Sequence, residues 1–238
     1  MAAESLHNIA LLIDADNASP AGIDSVLTVL AELGQVNIRR AYGNWRKTTL
    51  KGWADIVHRY GIEPQQQFDL TKGKNATDMK MTIDAMDMLY RGRVHGFGIM
   101  SSDSDFTPLA MRIRQDGYPV YGFGSGQTPE AFRQACTRFI DVDALTKAER
   151  AAKGQEQPQE KPRMDETLLN LLINAYNASK RDERGFAKLA EVGQRAGNRS
   201  SFDTRSYGYP RLIDLIEATP SFITERREGG QVWIKRLR

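Results

Sequence analysis

Five side chains in this sequence have the types and spacing for acid and metal chemistry. They are Asp14 and Asp16 in LLIDADN (11–17), Asp78 in KNATDMK (74–80), and Asp103 and Asp105 in MSSDSDF (100–106). Carboxylates gathered without histidine or cysteine repel one another unless a hard cation neutralises them. Oxygen-only ligand sets suit Mg²⁺ or Mn²⁺, which keep several waters and bind phosphate oxygens. Such an ion assists phosphodiester hydrolysis by activating water and stabilising the leaving oxygen. A lone aspartate beyond a strand often only caps the next helix, and Asp16 or Asp105 alone reads that way. Asp14, Asp78, Asp103 and Asp105 together read as a metal site. Asp84 and Asp87 lie further along the Asp78 segment, where Asp84 is a candidate for an outer role and Asp87 for solvent.

These acids need elements to bring them together. IALLID (9–14) is a continuous aliphatic run, the signature of a strand buried on both faces. Pro20 opens a helical pattern that Gly34 stops. Next come a strand over 35–43, a helix over 50–61 and a poorer strand over 62–68. Thr77 is placed to cap a helix running through Tyr90. A strand over 96–102, a helix over 105–117, a strand over 118–124 and a helix over 128–139 complete the alternation. This pattern predicts an α/β, Rossmann-like parallel sheet with helices on both faces. Ligands of such sheets bind beyond the carboxyl ends of the strands, where strand order reverses. If the 9–14 and 96–102 strands are neighbours there, their terminal acids meet. GFGSG (122–126) lacks the spacing and position of a dinucleotide fingerprint and reads as a tight turn.

From Lys147 to Met164 the chain turns polar, with two prolines and many charges, and reads as a linker whose start can be helical. Beyond it, 165–180 is amphipathic, Phe186, Leu189 and Val192 mark a second helix, and Leu212, Ile213, Leu215 and Ile216 a third. Residues 222–237 form two alternating runs around Gly229-Gly230, a hairpin signal. Three helices and a hairpin predict a small winged helix-turn-helix. The expected division is 1–146, a linker over 147–164, and 165–238.

Composition narrows the classes. The 238 residues are 40% hydrophobic and 26% charged, ordinary for a globular chain. No apolar run approaches the roughly 18 residues that span a bilayer, and the start lacks the pattern of a signal peptide. Cys136 is the single cysteine, and His7, His58 and His95 are scattered, so neither a disulfide nor a cysteine-rich zinc site is expected. A cytoplasmic protein without membrane partners is the expectation. Residues 1–150 carry 17 basic and 18 acidic side chains, whereas 151–238 carry 16 and 12. The basic excess thus lies in the tail half, which hints at a polyanionic partner. Arg46, Lys47 and Lys51 flank Trp45 and Trp53, and Lys72 and Lys74 precede Asp78. Cations beside aromatics suit a phosphate backbone and its bases, while core packing is the other role for the tryptophans.

LLIDADN (11–17), KNATDMKMTIDAM (74–86) and MSSDSDFTPLAMRIRQDGYPVYGFG (100–124) resemble, in order, the motifs of the NYN domain, specifically its LabA-like bacterial group. The resemblance spans roughly residues 8–145. It implies a PIN-like, Rossmann-like nuclease that cuts RNA with Mg²⁺ or Mn²⁺. On matching positions it implies roles for Asp14 and Asn17, Asp78, and Asp103 and Asp105. Ser102 stands where the family more often has Gly. Residues 168–237, above all FDTRSYGYPRLIDLIE (202–217) and FAKLAEVG (186–193), resemble the OST-HTH, or LOTUS, domain. Gly185-Phe186 stands where that family carries Gly-Trp. This resemblance implies a winged-helix module that binds RNA. Arg205 and Arg211 around Tyr207 and Tyr209 fit phosphate pairing and stacking, with core packing the alternative for the tyrosines.

The expected function is therefore a metal-dependent endoribonuclease of RNA processing or turnover, with RNA and other RNA-processing proteins as partners. A non-catalytic RNA-binding adapter is the alternative. IDAD (13–16) also resembles the nucleophile motif of haloacid-dehalogenase-like phosphatases, but SSDSD spaces its acids more closely than that family's GDxxxD.

Overall fold

The computed structural model describes residues 7–68, 75–152 and 166–237. The chain divides into two compact units, Met1–Thr146 and Lys147–Arg238. In the first, strands and helices alternate: β1 Asn8–Asp14, α1 Ile23–Ala31, β2 Gln35–Gly43, α2 Lys51–Ala54 and β3 Glu63–Gln66. They continue with α3 Ala76–Tyr90, β4 Gly96–Met100, α4 Thr107–Gln115, β5 Val120–Gly124, α5 Glu130–Ala135 and β6 Arg138–Asp141. α6, Val142–Ala152, runs across the division between the units. The six strands form one parallel sheet in the order β3-β2-β1-β4-β5-β6.

Burial on both faces explains the aliphatic run of β1. Ala10 and Leu12 enter a core with Met81, Ala85, Phe97, Ile99 and Phe132. Ile9, Leu11 and Ile13 enter the opposite one with Val26, Leu30, Trp53 and Ile140. Alternate residues of one strand thus feed two layers of helix. Cys136 lies in the first of these cores, its thiol donating to the Phe132 carbonyl, and burial pushes its pKa up to about 12. A separate ion cluster sits at the β2 side, where Tyr42, Arg40 and Lys80 all donate to Asp84.

The second unit comprises α7 Glu166–Ala178, β7 Ala187–Lys188, α8 Leu189–Arg199, α9 Leu212–Glu217, β8 Phe222–Arg226 and β9 Val232–Arg236. Its antiparallel sheet has the order β7-β9-β8. Leu168, Leu172, Val192, Leu215, Phe222 and Ile234 build its core. Among the described residues, no helix is long and apolar enough to cross a membrane.

Several boundaries differ from the sequence expectation. β6 begins inside the stretch expected to remain helical to residue 139 and runs beyond it; α5 ends at Ala135, and Phe139 and Ile140 are buried in a four-residue strand. The helix expected over 50–61 keeps four α-helical residues and continues as turns to the left-handed Gly61. Phe186 precedes the two-residue β7 rather than lying in a helix. Of GFGSG (122–126), read as a tight turn, residues 122–124 end β5 and the turn begins only at Gly126; Gly124 is glycine for a spatial reason. A Cβ on Gly124 would stand 2.8 Å from the Ser101 carbonyl oxygen, hard against the end of β4. Gly124→Ala should therefore lower the stability of the first unit by about 1–3 kcal/mol through overpacking, read as a drop in its melting temperature.

Candidate metal centre and nucleic-acid interface

β1 and β4 are neighbours, and strand order reverses between them. Asp14 ends β1, while Ser101 to Asp105 follow β4, so their acids emerge at the same crevice. Asp14 is fully buried. Its Oδ2 accepts from Ser101 Oγ at 2.7 Å and from Asn17 Nδ2 at 2.9 Å, whereas its Oδ1 has no partner among the described residues. Burial raises its pKa above the ordinary carboxylate value, opposed by those two hydrogen bonds. Ser101 also accepts from the Asp103 amide at 3.0 Å. One hydroxyl thus ties the first strand's acid to the loop that carries the others.

Asp103 caps a short 3-10 turn, accepting from the Asp105 amide at 2.9 Å. Asn75, just ahead of α3, donates to Asp105, and Asp78 stands in the first turn of α3. One carboxylate oxygen each of Asp78, Asp103 and Asp105 lie within 4.8 Å of one another. Burial, followed by the charges of Asp14, Asp103, Asp105 and Asp16, raises the Asp78 pKa from 3.8 to about 6. Three converging carboxylates with a buried unpartnered oxygen beside them make an oxygen-only donor set, the chemistry of a hard cation. Asp14 does not belong to the group of three; it acts on Asp78 through charge.

Asp16 is the acid that sequence reasoning set aside as a cap. It accepts from Thr77 Oγ1 and pairs with Lys47 Nζ, both at 3.2 Å. Thr77 is accordingly the second residue of α3 rather than its cap, and its hydroxyl is used across the crevice. Asp84 is held by Arg40 and Lys80, and Asp87 pairs with Arg91. A cavity of about 590 Å³ adjoins the acids, sharing Asn75, Asp78 and Asp105 and walled by Met79, Ile83 and Pro108.

The basic residues fare differently. Arg46 is exposed and stacks on Phe68, 4.7 Å from the ring centroid. Lys47 is paired with Asp16, and Lys72 and Lys74 lie outside the described residues. Trp53 is core, donating to the Ala18 carbonyl, while Trp45 is half-buried and donates to the Gln65 carbonyl. In the second unit the Arg205 side chain is only 15% exposed, its guanidinium on both oxygens of the buried Asp203. Arg211 is exposed but grips Asp214 with two nitrogens, at 3.0 and 2.7 Å. Tyr207 and Tyr209 pack half-buried against the core.

A doubly wound parallel sheet with acids at its switch point is consistent with the PIN-like class of α/β domains. A family model of the NYN domain matches residues 8–143, and one of the OST-HTH/LOTUS domain matches residues 160–234. The chain belongs to the NYN domain family and carries an OST-HTH/LOTUS domain behind it. The chain is 27% identical over 123 residues to the uncharacterized protein MJ0482 of Methanocaldococcus jannaschii, covering 50% of this chain and 48% of that one. The chain therefore spans about half the length of this curated relative. Among solved structures, a protein of unknown function, VPA0982, from Vibrio parahaemolyticus is similar at a TM-score of 0.49 and 19% identity. That match covers 60% of this chain and 97% of the other.

Two outcomes follow from this geometry. Asp78 is protonated more readily folded than unfolded, so its stabilising contribution is present below pH 3.8 and is lost as pH rises through about 6. Asp78→Asn should therefore raise the melting temperature of chelator-treated protein at pH 7 and change it little at pH 4. Arg205→Ala strips a partner from a buried carboxylate and should cost about 1–3 kcal/mol, read by denaturation of the second unit.

Proposed function

We propose that the protein is an endoribonuclease dependent on Mg²⁺ or Mn²⁺, acting in RNA processing or turnover. The supporting observation is the convergence of Asp78, Asp103 and Asp105 at the switch point, beside a buried Asp14 with an unpartnered oxygen. The donor set fits a hard divalent ion, which Asp14, Asp78, Asp103 and Asp105 would hold. Bound there, such an ion supplies Lewis acidity toward a phosphodiester and lowers the pKa of water.

The chain's own groups do the positioning. Asn17 and Ser101 hold Asp14 by one oxygen, leaving the other free to act as a ligand. The Asp105 amide fixes one oxygen of Asp103, and Asn75 orients Asp105. Asp78, its pKa raised to about 6 by burial and the neighbouring acids, would be relieved by a cation held there. Met79 and Ile83 give the adjoining cavity an apolar wall suited to a nucleobase beside the scissile phosphate. Arg46 on Phe68, with the neighbouring Lys47, would supply cations for the phosphate backbone beyond β2, and Lys72 and Lys74 remain candidates on sequence alone.

In this reading, residues 1–146 carry the chemistry, 147–164 tether, and 165–238 hold RNA. Tethering raises the effective concentration of substrate at a weakly selective site. Other RNA-processing proteins are further partners of this reading, and its compartment is the cytoplasm.

The test is incubation of the purified chain and Asp103→Asn with RNA and with DNA, under Mg²⁺, Mn²⁺ or EDTA. Internal cleavage of RNA that needs the ion, and that falls about 100-fold or more in Asp103→Asn with the fold retained, is expected. Full activity in Asp103→Asn would sink the assignment. A wild type that binds RNA but never cuts it would point to an adapter instead, and phosphate release from a small phosphoester to a phosphatase.

A further inference from the structure

The hairpin of the second unit carries an arrangement that its core does not require. In an antiparallel sheet alternate residues face opposite sides. Ala187, Phe222 and Ile234 take the core side of β7, β8 and β9. Register sets Lys188 and Glu225 on either side of Trp233, and Ile223 beside Lys235, on the other side. A solvent face is expected to be polar, yet this one presents the half-exposed Trp233 and the 39% exposed Ile223. Phe186 adjoins them, covered by cations.

Those cations fall into two kinds. Arg227 is fixed: it reaches Asp182 at 2.6 Å and Glu225 at 2.7 Å, with its guanidinium 4.2 Å from the Trp233 centroid and 5.3 Å from that of Phe186. Arg184 also pairs with Glu225. Lys188 and Lys235 make no ion pair among the described residues; they lie 5.6 Å over Trp233 and 5.7 Å over Phe186. Four cations here meet two acids, Asp182 and Glu225. The third-helix side offers the reverse: Arg205 and Arg211 are both occupied by aspartates.

We propose that the outer face of the β7-β9-β8 sheet is where this unit takes single-stranded RNA. This rests on the RNA-binding reading of the domain and assigns it a surface. Trp233 is the stacking platform, its ring packed against the anchored Arg227. Lys188 swings from the ring to a phosphate as a base takes its place, and Lys235 takes a neighbouring phosphate. A sheet face with an aromatic and mobile cations suits unstacked bases, since duplex RNA buries its base faces.

The test uses the full chain in EDTA, which keeps it independent of cleavage, with a labelled mixed-sequence single-stranded RNA and a matching duplex. Two neutralised phosphate contacts on a single strand are worth a change of about 1.4 in the slope of log affinity against log salt. Lys188→Gln with Lys235→Gln should reduce the slope by about that amount while leaving the melting temperature unchanged. Trp233→Leu should weaken binding about tenfold with the slope intact. Arg211→Ala should change neither. An unaltered slope in the double lysine variant, or equal binding of the duplex, overturns the assignment of this face while RNA binding itself stands. A wild type that binds no RNA at low salt overturns both.

Discussion

Mutual repulsion among aspartates is the constraint around which the first unit is arranged. Asp78 feels Asp14, Asp103, Asp105 and Asp16 together, and of these Asp14 is wholly cut off from solvent. Asp14 is locked at the end of a strand packed on both faces, so relief by backbone movement would disturb two cores at once. What the protein supplies instead is a scatter of small polar groups. Ser101, Asn17, Asn75, Thr77 and the Asp105 amide each donate to one carboxylate. Among the described residues Lys47 is the cation set directly on these acids, and it pairs with Asp16. A rigid scaffold bearing uncompensated charge is the familiar exchange of stability for a binding site.

The second unit solves the opposite problem. It has more cations than acids, and it pairs some of them while laying others over rings. Arg205 goes inward to Asp203, whereas Lys188 and Lys235 are left on aromatic faces. An ammonium over a ring is weakly held and easily exchanged for another partner, unlike a guanidinium gripped by two acids.

Periodicity made the main elements legible because burial on both faces leaves a strong mark. β1 stands out as an apolar run, and the acids that follow β1 and β4 could be placed together once adjacency was assumed. What periodicity missed was short. RFID in β6 continues an amphipathic helical pattern, and only its packing beside β5 makes it a strand. The two residues of β7 are too few for any alternation. Asp16 looked like a cap because its partners, Thr77 and Lys47, come from α3 and the segment after β2. Arg205 was open to reading as a phosphate contact because Asp203, two residues away, gives no sign in sequence of being buried.

The lone thiol has a use that nothing in the site requires. Cys136 is buried in the sheet's core with its pKa pushed to about 12, so almost none of it is thiolate near neutrality. Thiolate is the form that alkylating and disulfide reagents attack. Modification therefore waits until the surrounding layer opens, and its rate counts those openings. With no second cysteine in the sequence, the signal comes from the sheet unit alone, and the molecule carries a built-in clock for the breathing of one half.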